Sequence, residues 1–482
     1  MKPLKVSQRG GPMGLKERIA KLGNNLKGVI QSIIDPKQMR ELARKTGFIQ
    51  RCSSRLDGDE FVQLLIIESV DGKKNTLRSG IDTLTTLKDK AKMTTQALSQ
   101  RINTKAAANL MEGVFNKTLQ IIMDQLNRIL ATGKENLELL KFFSNVYLQD
   151  STECLLDEAL EDEYKGSGGG SGNGIGDASV KVDLIYEYKK KILSYFKITD
   201  RREPDVISGK RIVEIIKRGD LVIRDLGYSC INVFQQIHDI GAFFLSRLQA
   251  RMSVYLDLED TQPVSLGSFL EKKSKKSGIV DMMVYISKQM LHCRMIAYRV
   301  APEIAKDRRD EYLKECKKKK RKPNKEYIKR LSFTIFITNV PVTMWSATVI
   351  GTIYRLRWQV ELIFKSWKSN LKFDFLVGTN VFRITCLIYA RLTAILIMFT
   401  VYACLDRVTL ERLEKEVSIH KIIDWLTKHG RFLGIVIKGF CKSLWKSLVS
   451  NSKDILCKEK RKGRNTTREH IKQATPFGVV LC

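Results

Sequence analysis

The run 384–405, ITCLIYARLTAILIMFTVYACL, constrains the fold more than any other stretch of the chain. It offers no polar face at helical spacing, so a helix made of it must be surrounded on every side, by lipid or by protein. Its length is enough to cross a bilayer. Arg391 near its middle argues against that, because a guanidinium at mid-bilayer depth is costly. The run therefore predicts a buried helix in a large core. A 482-residue chain that is 43% hydrophobic can supply the surrounding apolar surface. The N-terminus, MKPLKVSQRGGPMG, holds no apolar run of signal-peptide length, so the chain is expected in the cytoplasm with no membrane partner.

Charge narrows the partner. Lys and Arg number 84 against 52 Asp and Glu, a net 84 − 52 = +32. Such an excess calls for a polyanion, and nucleic acid answers it because each phosphate contact releases counterions. Ten cysteines lie scattered with no C-x-x-C pair, and the five histidines do not cluster with them, which argues against a zinc site. Scattered thiols suit a reducing compartment.

Residues 15–135 read as helical, with apolar positions recurring at three and four. Within them MTTQALSQRINTKAAANLMEGVF (93–115) reads as a helix-turn-helix or as part of a plain helical bundle, with the bend at 101–104. The texture then changes. FFSNVYLQD (142–150), VKVDLIYEY (180–188) and ILSYFKIT (192–199) read as strands, with a glycine-rich surface loop at 165–177. A helix at 207–218, a buried strand LVIRD (221–225), a helix at 230–240 and a strand AFFLSRL (242–248) follow. Three strands and then alternating helix and strand is an α/β layer pattern that fits a ribonuclease-H-like sheet. Strand-like pieces at 253–258, 293–301 and 333–340, with a basic run at 314–330, predict an inserted β-rich subdomain. The expected division is a helical N-terminal region (1–137), an α/β core in two parts (138–250 and 346–405) around the insertion (251–345), and a helical basic C-terminal region (406–482).

The stretch TVIGTIYRLRWQVELIFKSWKSNLK (348–372) reads as one helix. Stepping about 100° per residue from Tyr354, Arg357 falls near 300°, Lys368 near 320°, Glu361 near 340° and Lys365 near 20°. One face thus carries a tyrosine, an arginine, a glutamate and two lysines. A plain charge stripe with ion pairs one turn apart would look similar. The order Tyr, two residues, Arg, three residues, Glu, six residues, Lys is narrower than that. It resembles the YREK motif of DDE transposases of the insertion-sequence family numbered four, the group related to the transposase of transposon five.

That resemblance implies two further carboxylates, one on the first strand and one just after the fourth. Asp150 in VYLQDST and Asp225 in VIRDLGY occupy those places, the latter within an aspartate-x-Gly-Tyr turn. Asp157, Asp183 and Asp220 are the rivals. The family implies that Asp150, Asp225 and Glu361 hold two Mg²⁺ ions, with Mn²⁺ able to substitute. The chemistry is in-line displacement at phosphorus, which two divalent ions on hard oxygen ligands assist. Arg357 and Lys368 are then expected on DNA phosphates, with Tyr354 and Lys365 as further contacts. In relatives that cleave through a hairpin an aromatic stacks on a flipped base. Phe333 is the nearest candidate, with Trp345 and Trp358 as alternatives and a core role for Phe333 also open. The implied function is cut-and-paste transposition on double-stranded DNA, at terminal inverted repeats and a target, by a homodimer at the bacterial nucleoid. A nuclease of the same fold, or a non-catalytic DNA-binding derivative of a transposase, are the alternatives.

Overall fold

Strands in this chain come from short apolar runs bounded by turns, and among the described residues nine of them assemble one large sheet, while Ala474–Thr475 and Gly478–Val479 pair separately near the C-terminus. The computed structural model describes residues 14–51, 56–70, 76–87, 93–130, 137–166, 178–376, 378–428, 434–435, 442–459, 465–475 and 478–479. Nine strands are β1 (Val146–Leu155), β2 (Ser179–Glu187), β3 (Ile192–Asp200), β4 (Leu221–Arg224), β5 (Phe243–Arg247), β6 (Val254–Tyr255), β7 (Ile279–Ile286), β8 (Leu291–Arg299) and β9 (Phe333–Thr338). They lie in the order β3-β2-β1-β4-β5-β9-β8-β7-β6. β1 to β3 form an antiparallel meander, while β1, β4 and β5 run parallel. β9 pairs antiparallel with β5, and β8, β7 and β6 continue outward in antiparallel pairs. The β-rich stretch expected as an insertion therefore extends the same sheet.

Alternation along the strands divides their side chains between two cores. Leu148, Leu221, Ile223 and Leu245 join the larger one, together with the N-terminal helices. Tyr147, Val222 and Phe244 join a second on the opposite face. β4 is buried at all four positions, as a parallel strand covered on both faces must be.

Helices α1 (Thr95–Ile102) and α2 (Lys105–Ile121) meet at residues 103–104, within the predicted bend. The Thr104 hydroxyl accepts from the Ala107 amide at 3.2 Å and starts the second helix afresh. The predicted helix at 207–218 is instead a single turn, Asp205–Ser208, and a 3₁₀ stretch, Gly209–Glu214. β7 had gone unread, because IVDMMVYI alternates weakly. Most of the glycine-rich run, 167–177, lies outside the described residues.

The long apolar run is helix α6, Val381–Leu413, buried almost throughout. It packs on α2, on the helix Gly58–Glu68 and on β3. Arg391 is buried, and its Nη1 donates to the carbonyls of Lys372 (2.6 Å) and Phe375 (2.9 Å). Those carbonyls follow the helix Trp358–Leu371, here α5, which carries Glu361. The arginine that argued against a membrane span thus ties the core helix to the end of α5, and its desolvation is met by hydrogen bonds.

Candidate active site

Asp150 lies inside β1, which runs on to Leu155, so the expected strand end is not there. What ends there is the parallel pairing. Gln149 lies opposite Arg224, the last residue of β4, which puts Asp150 level with Asp225. Alternation points Asp150 to the same face as Val146 and Leu148, toward the helical layer. Asp225 follows β4 in extended backbone, with φ −79° and ψ 168°, and its side chain makes no capping hydrogen bond to the next turn. Two carboxylates thus stand side by side at the carboxyl end of parallel strands, where open α/β sheets leave a crevice.

The predicted single helix at 348–372 is broken. A helix, Ile350–Tyr354, passes through a 3₁₀ turn, Arg355–Arg357, into α5. That turn packs on β1 and β4 and delivers Arg357 into the crevice, with Glu361 one turn later. Arg357 Nη1 lies 2.7 Å from Glu361 Oε1 and 3.9 Å from Asp150 Oδ2, and its Nε lies 3.6 Å from Asp225 Oδ1. One buried guanidinium serves as counter-ion to carboxylates from three elements. Its Nε is buried without a hydrogen-bond partner. Tyr354 is also buried. Its hydroxyl donates to Asp225 at 3.3 Å, and its ring packs edge-on against Phe336 of β9.

The electrostatics follow from crowding. Burial pushes the Asp150 carboxyl up to about 7, and Asp225 and Glu361 add to the rise against the Ser151 amide and Arg357. Burial alone would lower Arg357, but Asp225 and Glu361 outweigh it and raise it. Burial, then Asp225, raise the Tyr354 phenol.

The rival aspartates are structural. Asp183 pairs with Ser151 on the opposite sheet face, where it accepts from Tyr228 Oη (3.0 Å) and Gln149 Nε2 (3.2 Å). Asp157 caps a 3₁₀ turn through the Ala159 amide. Asp220 accepts from Asn145 and from the Lys217 amide. Sequence reasoning missed the polar layer behind the site. Gln149 Oε1 accepts from Arg224 Nη2 at 3.0 Å, so the residues preceding both front aspartates are joined to each other. Its signal was a glutamine and an arginine in otherwise apolar buried strands. Arg247 at the end of β5 was missed too; its charge acts on the Tyr354 phenol.

The remaining predicted positions disperse. Lys368 is half-buried and Lys365 exposed, and neither has an ion pair among the described residues. Phe333 is 4% exposed, a core residue beneath the Arg299 guanidinium, and is therefore no surface for a base. Trp345 is fully buried and donates to the Leu139 carbonyl. Trp358 is 56% exposed beside Arg357, whose guanidinium lies 5.1 Å from the ring centre.

Among the described residues no three acidic, Cys or His side chains already stand at ligating distance of one another. Arg357 lies between the three carboxylates and accounts for this. Their hard oxygen donors, and an orphaned Nε on the cation that bridges them, fit a site where a divalent ion takes over the arginine's charge.

An acidic trio at the carboxyl end of parallel strands, in a chain of net charge +32, defines an α/β protein that works on nucleic acid. A family model described as the transposase DDE domain matches residues 141–397, more than half of the chain. The chain belongs to that family, the DDE transposases, enzymes of DNA strand cleavage and joining. The transposase of insertion sequence IS231B from Bacillus thuringiensis subsp. berliner is 26% identical over 91% of this chain and 92% of its own length. The transposase of IS1151 from Clostridium perfringens is likewise 26% identical, over 92% and 95%. Among solved structures, a piggyBac transposase in a synaptic complex with hairpin DNA covers 91% of this chain and 86% of its own, at 9% identity and TM-score 0.40.

Proposed function

We propose that this chain is the transposase of a bacterial insertion sequence, acting in the cytoplasm on the terminal inverted repeats of its own element and on a target duplex. The observation that carries the reading is the single guanidinium of Arg357 gathering Asp150, Asp225 and Glu361 from three elements. The strand order β3-β2-β1-β4-β5, antiparallel then parallel, supports a ribonuclease-H-like core, with 251–345 inserted between Asp225 and Glu361. Region 1–137, with the bend at 103–104, is the proposed DNA-binding region, and 406–482 the basic C-terminal region.

In this reading Asp150, Asp225 and Glu361 hold two divalent ions, Mg²⁺ or in its place Mn²⁺. When bound, such ions stabilise charge on the attacking and leaving oxygens of the scissile phosphate. The chain's own residues do the rest. Arg357, released from the carboxylates, presents two parallel N–H groups to a phosphate. Lys368 lies about 10 Å beyond Glu361 along α5 and adds a point charge, with exposed Lys365 beside it. Tyr354 holds Asp225 in place and is the closest phenol to the bound strand. Trp358 replaces Phe333 as the aromatic available to an unstacked base. A homodimer brings the two ends together.

The test offers purified protein labelled duplexes carrying the ends of its source element, with Mg²⁺ and a target plasmid. Cleavage at the element boundary and joining to the plasmid are expected. Cleavage without regard to the end sequence would favour a nuclease instead.

A further inference from the structure

Between β8 and β9 the chain forms a helical arm, α3 (Pro302–Lys318) and α4 (Lys325–Arg330). Its stretch 314–330, KECKKKKRKPNKEYIKR, holds ten Lys and Arg against two Glu. The arm separates its cations into two sets. Arg308 donates to the carbonyls of Leu331 and Phe333, and Arg330 to those of Leu248, Gln249 and Ala250. These hold the arm to the sheet. Lys317, Lys318, Lys320 and Lys322 are exposed and have no ion pair among the described residues.

Topology fixes where the arm stands. β9 is antiparallel to β5, so its first residue lies at the carboxyl end of β5, and β8 ends at that same edge. Both roots of the arm therefore leave the sheet at the end that carries Asp150 and Asp225. Gln249, held by Arg330, in turn donates to the carbonyl of Leu226, next to Asp225. Arg247 bridges the interval, near enough for its charge to act on both Tyr354 and Arg308. α3 itself is close to charge-balanced, with six Lys and Arg against five Asp and Glu, and about 25 Å long, so the unpaired cations gather at its far end and in the loop that follows, Lys317 to Lys322.

We infer that the α3–α4 arm is a second DNA-binding surface, which grips duplex phosphates without regard to sequence beyond the point of cleavage. It rests on the reading of the carboxylate site as a DNA-cleaving one. The duplex in question is either the DNA flanking the element or the target, which share the same phosphate chemistry.

The test replaces Lys317, Lys318, Lys320 and Lys322 together with Ser in the full chain and measures binding across a salt series. Three duplexes are used: an element end that stops at the cleavage point, the same end with flanking DNA, and a target without end sequence. Each lost phosphate contact flattens the log–log salt slope by about 0.9, so the variant is expected to lose about 2–4 from the slope and at least tenfold in affinity. The loss should fall on the flanked end, on the target or on both, and spare the truncated end. A matching set of Lys→Arg replacements should retain affinity and slope. Unchanged binding of all three duplexes by the Ser variant overturns the arm, as does an equal loss in the Arg variant, which would mark a folding defect. Wild-type protein that cuts no element end refutes the transposase reading separately, whatever the salt slopes show.

Discussion

Replacing Arg357 with Gln tests the arrangement of the site before any DNA is added. In the absence of metal this guanidinium is the common counter-ion of Asp150, Asp225 and Glu361. Its 2.7 Å contact with Glu361 is a charge-assisted hydrogen bond between groups 11% and 33% exposed. Such bonds contribute roughly 1.5–3 kcal/mol. The two longer contacts are offset by the guanidinium's own desolvation. The metal-free variant should therefore be less stable by about 2 kcal/mol, or roughly 4–8 °C in Tm for a cooperative unit of 150–250 residues. Mg²⁺ should then raise its Tm more than it raises that of the wild type, because no arginine competes for the carboxylates. The assay is thermal unfolding in EDTA and in graded Mg²⁺. Equal stability in EDTA, or an equal Mg²⁺-induced rise in both proteins, would refute the counter-ion account.

The Asp150 carboxyl, raised from an ordinary 3.8 to about 7, predicts a pH dependence of the metal-free protein. Between those values the unfolded chain has lost this proton and the folded chain keeps it, so stability should fall by a few kcal/mol as pH rises from about 4 to 7. Asp150→Asn should remove that component of a Tm-versus-pH series measured in EDTA, and an unaltered slope would refute it. Tyr228→Phe removes one donor from buried Asp183 and should cost about 1–2 kcal/mol in urea unfolding. Arg391→Met removes a donor from the Lys372 carbonyl, which keeps the Phe375 amide, and leaves the Phe375 carbonyl without Arg391, and should cost about 1–3 kcal/mol by the same measurement. No loss in either variant would contradict the packing described.

Much of this was legible in the sequence because it rests on local spacing. The close spacing of Tyr354, Arg357 and Glu361, the apolar helix and the α1–α2 bend each follow from residues within a few turns of one another. What escaped depends on distant partners. Asp150 was expected at a strand end, yet the strand continues and only its pairing with β4 stops, a fact that belongs to β4. The 3₁₀ turn at Arg355–Arg357 interrupts a stretch, 352–372, with no proline or glycine to announce it. Packing against β1 and β4 imposes it, and mid-helix 3₁₀ stretches are often found at functional sites. Phe333 looked available because a strand pattern cannot say which face will be covered, whereas its ring belongs to the second core. The polar layer of Gln149, Arg224, Asp183 and Tyr228 joins four elements across 80 residues, and no short-range pattern encodes it.

The central claim is that Asp150, Asp225 and Glu361 form one metal-dependent site. It is tested most directly by cleavage of an element-end duplex in Mg²⁺ by the three single alanine variants, each first shown to bind that duplex. The account predicts that all three bind and none cuts. Cleavage at the wild-type rate by any one of the three variants would contradict it.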